Sequence, residues 1–143
     1  MNEQRRERRQ STTMRTTREE PPTIAAVDDD QLVLCTVARI LEQGGFRPLL
    51  YDDPVLALEA IPASVDLVLL DRKMPGLTGP EVARVLRHRW RERCPPIVLL
   101  SGDVESLSRS DRAVFDLVLA KPLTPSALLS ALDGVRERAA AGQ

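Results

Sequence analysis

The sequence predicts an α/β fold: an open, doubly wound sheet of five parallel strands with helices on both faces. Short apolar runs alternate with amphipathic stretches along most of the chain, which is typical of β-α units. The run before Asp71 contains almost no polar residue, as expected for a strand that is buried on both faces. Five such units in 143 residues cannot close an eight-stranded barrel, so we expect one domain with an open sheet and five helices.

The first half of the folded region contains three predicted strands and two predicted helices. Apolar residues at helical spacing follow the first strand, and we expect this helix to end at Gly44-Gly45 because glycine suits a helix C-terminus. In chain order the predicted elements are strand 24–27, the helix that ends at Gly44-Gly45, strand 48–51, helix 54–61 and strand 66–70.

The second half begins with a helix that we expect to open at Gly79-Pro80-Glu81, because proline is tolerated in the first turn and an acid suits the positive end of the helix dipole. Pro95-Pro96 closes it. Its predicted inner face consists of Val82, Val85, Leu86 and Trp90. Strand 97–100, a short helix 104–110 and strand 117–120 follow, and the last helix starts at a Thr124-Pro125 cap and buries Leu128, Leu132 and Val135.

The two ends of the chain differ from its middle. Residues 1–22 lack hydrophobic periodicity and end in two prolines, so we expect a disordered arm, then a folded domain over residues 23–138 and a tail over residues 139–143. Residues 1–20 carry a net charge of +2 and the remainder −3. Glutamates lie between the arginines of the arm and aromatic residues are absent from it, which favours a solvated arm over one that binds nucleic acid.

The sequence offers no apolar stretch that resembles a secretory signal or a membrane span, which favours a cytoplasmic protein without a membrane partner. The two cysteines, Cys35 and Cys94, have neither a metal-ligand spacing nor a disulfide framework around them. We expect both to be ordinary reduced thiols.

Polar residues follow four of the five predicted strands. Because the carboxyl ends of parallel strands meet at one edge of a sheet, and ligands bind at that edge, these residues form the predicted site. They are Asp28-Asp29-Asp30, Asp71, Ser101 and Lys121.

Carboxylates that lie close together repel each other unless a cation joins them, and hard oxygen ligands suit Mg²⁺. Asp28, Asp29 and Asp71 therefore predict a magnesium site. A carboxylate at such a metal can attack phosphorus and form an acyl phosphate, and Asp71 is the candidate nucleophile. Lys121 and Ser101 would then bind phosphoryl oxygens, which predicts a switch controlled by phosphorylation.

Together these segments resemble the receiver domain of two-component response regulators, over about residues 23–138. The resemblance implies a flavodoxin-like receiver fold with strand order 2-1-3-4-5. The segments that carry it are Val27-Asp28-Asp29, Leu69 to Gly76 with Gly79, Ser101-Gly102 and Lys121-Pro122.

The resemblance also implies a role for each site residue. Asp71 would be the phosphoacceptor, receiving its phosphoryl group from a phosphohistidine on a sensor histidine kinase or a histidine phosphotransfer protein. Asp29 would bind Mg²⁺ directly and Asp28 largely through water, with Asp71 and the main-chain carbonyl of Lys73 as further ligands. Ser101 would be the switch hydroxyl, and Lys121 would be the phosphate-binding lysine.

Only 22 residues follow Lys121, too few for a helix-turn-helix output domain, so we expect a stand-alone receiver. It would signal to an unidentified protein through altered contacts, or pass its phosphoryl group onward.

Three residues depart from the usual receiver pattern. Lys73 puts a second cation at the mouth of the site, where it would shield the phosphoryl group or block water. Asp103 is expected to pair with Lys73 across the opening. Val118 stands where many receivers have an aromatic residue that turns inward on activation, so the output is expected to travel by another route or to be weak.

Two other functions stay open: an adaptor that binds partners without phosphorylation, and an aspartyl-phosphate phosphatase of haloacid dehalogenase type. The phosphatase family needs a second aspartate at the position of Lys73, which argues against it. Two further residues have a structural interpretation, since Asp30 is expected to cap a helix and His88 to lie on a solvated helix face.

Overall fold

A computed structural model describes residues 20–142, so all but the last three residues of the predicted arm lie outside the described part of the chain. Five parallel strands form one sheet in the order β2-β1-β3-β4-β5, as the resemblance implied. The strands are β1 Thr23–Val27, β2 Arg47–Tyr51, β3 Leu67–Asp71, β4 Ile97–Ser101 and β5 Leu117–Ala120.

Within residues 20–142, five α-helices connect and flank these strands. They are α1 Gln31–Gln43, α2 Pro54–Ala60, α3 Gly79–Trp90, α4 Arg109–Arg112 and α5 Pro125–Ala141. The short helix expected over residues 104–110 is instead a 3₁₀ turn at Val104–Ser106 followed by α4. Helix α5 runs three residues beyond residue 138, so most of the expected tail is helical. No helix within residues 20–142 combines the length and the apolarity needed to cross a membrane.

Side chains cap the helices that border the site. The Asp30 carboxylate accepts hydrogen bonds from the main-chain N–H groups of Leu32 and Val33, so its predicted role as the cap of α1 is confirmed. Thr78 and Glu81 form a capping box at the start of α3. These caps fix where each helix leaves the edge of the sheet.

The core has two halves, one on each face of the sheet. Alternate residues of β1 point to opposite halves: Ala25 and Val27 pack with α2 and α3, whereas Ile24 and Ala26 pack with α1 and α5. Strands β3 and β4 are buried along their whole length, as their continuous apolar runs predicted.

The predicted inner face of α3 needs one correction. Val85 is 37% exposed, and Ala83 is buried in its place beside Val82 and Leu86. Trp90 is partly buried against the same half of the core, as expected. The small Ala83 side chain carried too little hydrophobicity to be selected from the apolar periodicity.

Two predictions on single residues are confirmed. His88 lies exposed on α3, and both Cys35 and Cys94 are free cysteines.

Candidate functional site

The predicted site residues all lie at the carboxyl edge of the sheet, because the strand register brings the ends of β1, β3, β4 and β5 level. Val27 pairs with Leu70, so the acids that follow β1 lie beside Asp71 at the end of β3. Ser101 pairs with Ala120, which places Lys121 next to it. The site is thus assembled from residues that are far apart in the chain.

Three carboxylates form the acidic part of the site. One oxygen from each of Asp28, Asp29 and Asp71 lies within 4.8 Å of the others. Asp28 and Asp71 are 6% and 9% exposed, whereas Asp29 lies at the surface. This arrangement is an open cluster of oxygen donors that a cation can reach from the Asp29 side.

Burial raises the pKa of the Asp28 carboxyl above its ordinary value, and the charge of neighbouring Asp71 raises it further. A hydrogen bond from the main-chain N–H of Asp30, at 3.0 Å, opposes this shift. The charge of Lys121 also lowers the pKa of Asp28, and a further cation beside the carboxylates would favour its ionised form in the same way. Hard oxygen donors at this spacing fit Mg²⁺, so the donor chemistry agrees with the magnesium site that the sequence predicted.

Lys121 contacts the candidate phosphoacceptor directly. Its Nζ donates to Oδ1 of Asp71 at 2.5 Å, and the Asp71 side chain is only 11% exposed. The main-chain N–H of Lys121 donates to the Ser101 carbonyl at 2.9 Å, which ties the end of β5 to the end of β4. The lysine is thus held within reach of any group that is attached to Asp71.

Ser101 is 1% exposed at the end of β4. Its Oγ accepts hydrogen bonds from the main-chain N–H of Asp103 at 3.1 Å and from Nη1 of Arg72 at 3.4 Å. The hydroxyl is therefore held by two donors at the edge where Asp71 lies.

The ion pair expected between Lys73 and Asp103 is wrong. The ion pairs within residues 20–142 are Arg84 with Asp111, Arg87 with Asp116, and Lys121 with Asp71. Lys73 is exposed, and Asp103 accepts through its main-chain oxygen from Nη1 of Arg72 at 2.6 Å. The contact across the opening is made by Arg72, one residue before the lysine.

Arg72 is the residue that sequence reasoning missed. It directly follows the buried Asp71, and a long cation next to a buried carboxylate was the signal that could have drawn attention to it.

Val118 is the third departure from the usual receiver pattern. Its side chain is half-buried against the core half that contains α3.

Comparison with known proteins agrees with this geometry. The family model for the response regulator receiver domain matches residues 24–133. The chain belongs to this family. Receiver domains are phosphoacceptor signalling domains of two-component systems and not classical enzymes, and they bind Mg²⁺ at an acidic pocket. Asp28, Asp29 and Asp71 form an acidic cluster at the corresponding edge of this receiver.

Two curated relatives contain similar receivers. The chain is 30% identical over 105 residues to the phosphate regulon transcriptional regulatory protein PhoB of Klebsiella pneumoniae, which covers 71% of the chain and 46% of PhoB. It is 42% identical over 69 residues to the aerobic respiration control sensor protein ArcB of Escherichia coli (strain K12), which covers 47% of the chain and 9% of ArcB. The chain therefore spans less than half the length of these relatives.

The receiver also resembles solved structures over most of its length. The chemotaxis response regulator CheY4 of Vibrio cholerae superposes with a TM-score of 0.72 at 28% identity, covering 80% of this chain and 98% of that protein.

Proposed function

We propose that this receiver is a phosphorylation-dependent switch in which Asp71 accepts a phosphoryl group from a phosphohistidine. The observation that carries the proposal is the environment of Asp71: a buried carboxylate at the sheet edge, with Lys121 on one oxygen and Asp28 and Asp29 beside it. A buried acid that contacts a cation and lies close to other acids is suited to a reaction in which charge moves onto it.

In the proposed step, an oxygen of Asp71 forms a bond to phosphorus while the bond from phosphorus to the imidazole nitrogen breaks. The nitrogen keeps the electron pair of that bond, and the histidine becomes free of phosphate. The product is an acyl phosphate on Asp71. Lys121 then moves from the carboxylate oxygen to a phosphoryl oxygen, and the Ser101 hydroxyl donates to another.

The residues that would hold Mg²⁺ are Asp28, Asp29, Asp71 and the main-chain carbonyl of Lys73. Bound there, the ion would supply positive charge that offsets the charge of the phosphoryl group. The same charge would favour the ionised form of Asp28, whose pKa is raised by burial.

The proposed phosphodonor is a sensor histidine kinase or a histidine phosphotransfer protein in the cytoplasm. Similarity to part of ArcB, a sensor protein, supports a place in such a relay. The output is a changed surface for a downstream protein, or onward transfer of the phosphoryl group. A phosphorylation-independent adaptor is the second candidate, and Val118, which replaces the usual aromatic residue, is the observation that favours it.

Incubation with Mg²⁺ and acetyl phosphate, followed by mass spectrometry of the intact protein and its peptides, tests this function. We expect one base-labile phosphoryl group on Asp71, none on Asp71→Asn, and normal labelling of Asp133→Asn, which changes an exposed aspartate of α5. An unlabelled native chain would support the adaptor. Turnover of unrelated phosphoesters would support a phosphatase.

A further inference from the structure

The Arg72 side chain connects the end of β3 to the turn at residues 103–106, which follows β4. Its Nη1 donates to the main-chain oxygen of Asp103 at 2.6 Å and to Oγ of Ser106 at 2.8 Å, and Nη2 lies 3.4 Å from the main-chain oxygen of Ser106. These contacts hold the guanidinium group against the turn. From there Nη1 also reaches Oγ of Ser101 at 3.4 Å.

The hydrogen bonds around Ser101 determine what its hydroxyl group can do next. A hydroxyl carries one donor and two acceptor positions. Both contacts to Oγ come from donors, the main-chain N–H of Asp103 and the guanidinium of Arg72, so the acceptor positions are the ones in use. The O–H is left to donate, and a phosphoryl oxygen on Asp71 is an acceptor at the same sheet edge.

We propose that Arg72 is a positioning residue for the phosphorylation of Asp71, acting through Ser101. It fixes the 103–106 turn and keeps the Ser101 hydroxyl oriented as a donor toward the incoming phosphoryl group. The inference rests on the proposed function. With acetyl phosphate, an Asp71 oxygen bonds to phosphorus as the bond from phosphorus to the acetate oxygen breaks, and acetate leaves with the electron pair. Arg72 takes no part in proton transfer.

The arginine side chain suits this role better than lysine would. The planar guanidinium holds its two Nη atoms in a fixed fork: the two hydrogens of Nη1 are shared among Asp103, Ser106 and, at the longer distance, Ser101, while Nη2 faces the main-chain oxygen of Ser106. A lysine ammonium is a compact point charge on a flexible stem, so it can keep the charge near the site but not the whole set of contacts. Arg72→Lys therefore separates charge from geometry.

The test compares Arg72→Met and Arg72→Lys with Arg84→Met. Arg84 is a matched control because it also donates to the connection between β4 and β5, at Ser110 and Asp111, but makes none of the contacts of Arg72 to Ser101 and the 103–106 turn. The rate constant for labelling of Asp71 by acetyl phosphate at saturating Mg²⁺ is measured by intact mass. We expect Arg72→Met to lower it about three- to tenfold, within the range for the net loss of one ordinary hydrogen bond, with a smaller loss for Arg72→Lys and little for Arg84→Met.

A double-mutant cycle separates positioning from a general structural effect. If Arg72 acts through Ser101, Arg72→Met has little further effect in a Ser101→Ala background. The same comparison is made for the affinity of beryllofluoride, a phosphoryl mimic, by ¹⁹F NMR, which needs no leaving group. Urea denaturation shows whether each variant is folded.

Equal fold-losses from Arg72→Met in the native and Ser101→Ala backgrounds, or a native labelling rate for Arg72→Met, would overturn the role of Arg72 while leaving the proposed function intact. A native chain that is never labelled on Asp71 would instead overturn the proposed function.

Discussion

Gly79 packs directly against the main-chain oxygen of Asp71. A Cβ atom added at Gly79 would lie 2.5 Å from that oxygen and 2.8 Å from Cδ1 of Leu99. The main-chain N–H of Gly79 also donates to the carbonyl of Arg72 at 2.8 Å. The first turn of α3 is therefore seated on the backbone of the candidate phosphoacceptor, and only a residue without a side chain allows this approach.

Replacing Gly79 by alanine is expected to destabilise the fold by about 1–3 kcal/mol, because the methyl group meets backbone that cannot move aside without shifting Asp71. Urea denaturation at neutral pH measures the change. Gly102→Ala is the matched control at the same edge, since no atom lies within 4 Å of a Cβ at Gly102. Equal stability of Gly79→Ala and Gly102→Ala would contradict this account.

Replacing Lys121 by methionine is expected to reduce labelling of Asp71 and to destabilise the fold by about 1–2 kcal/mol at neutral pH, since a largely buried carboxylate loses its cation. The partly exposed position of Lys121 keeps the effect below that of a fully buried pair. Adding Asp71→Asn to this variant should restore most of the stability, because the buried carboxylate that lost its partner is then neutral as well. Urea denaturation of both variants measures the effect, and a double variant no more stable than Lys121→Met would disprove it.

Replacing Asp28 by asparagine is expected to stabilise the metal-free protein by about 1 kcal/mol at pH 7, because burial and Asp71 raise the pKa of Asp28 in the fold. Because the pKa of Asp28 is higher in the folded protein than in the unfolded chain, the stability of the native protein falls as the pH rises from the ordinary pKa of an aspartate through the pKa in the fold. The variant lacks this fall. It also loses a metal ligand, so we expect at least about tenfold weaker Mg²⁺ binding.

Urea denaturation with EDTA and with Mg²⁺ measures both effects at Asp28. Asp30→Asn is the control, because asparagine caps a helix as well as aspartate does and Asp30 accepts from the N-terminus of α1. If Asp30→Asn lowered Mg²⁺ affinity as much as Asp28→Asn, the assignment of these two acids would be wrong.

Replacing Lys73 by asparagine is expected to shorten the half-life of phosphorylated Asp71 by about two- to fivefold, since an exposed cation at the mouth of the site offsets phosphoryl charge and hinders water. The structure leaves Lys73 available for this role, because its side chain is exposed and forms no ion pair within residues 20–142. Decay of the label after removal of acetyl phosphate measures the half-life. Lys73→Arg should retain it, and equal half-lives for the native chain and Lys73→Asn would rule out the role.

Sequence patterns predicted the sheet and most of the site because both depend on local features. A strand that is buried on both faces needs a continuous apolar run, and a polar residue directly after such a run must emerge at its carboxyl end. Asp28, Asp71, Ser101 and Lys121 were therefore identified from their positions relative to β1, β3, β4 and β5. Asp30 was identified as a cap in the same way, from its place before a helix.

What the sequence by itself determined is thus the order of strands and helices and the residues that stand at each strand end. Only the tertiary structure decided which long side chain crosses the site: Arg72 rather than Lys73 reaches Asp103, although the two cations are adjacent in the chain. Successive residues leave the end of a strand in different directions, and their contacts depend on where the next loop lies. The spacing of residues along the chain carries no information about which of these side chains reaches the loop.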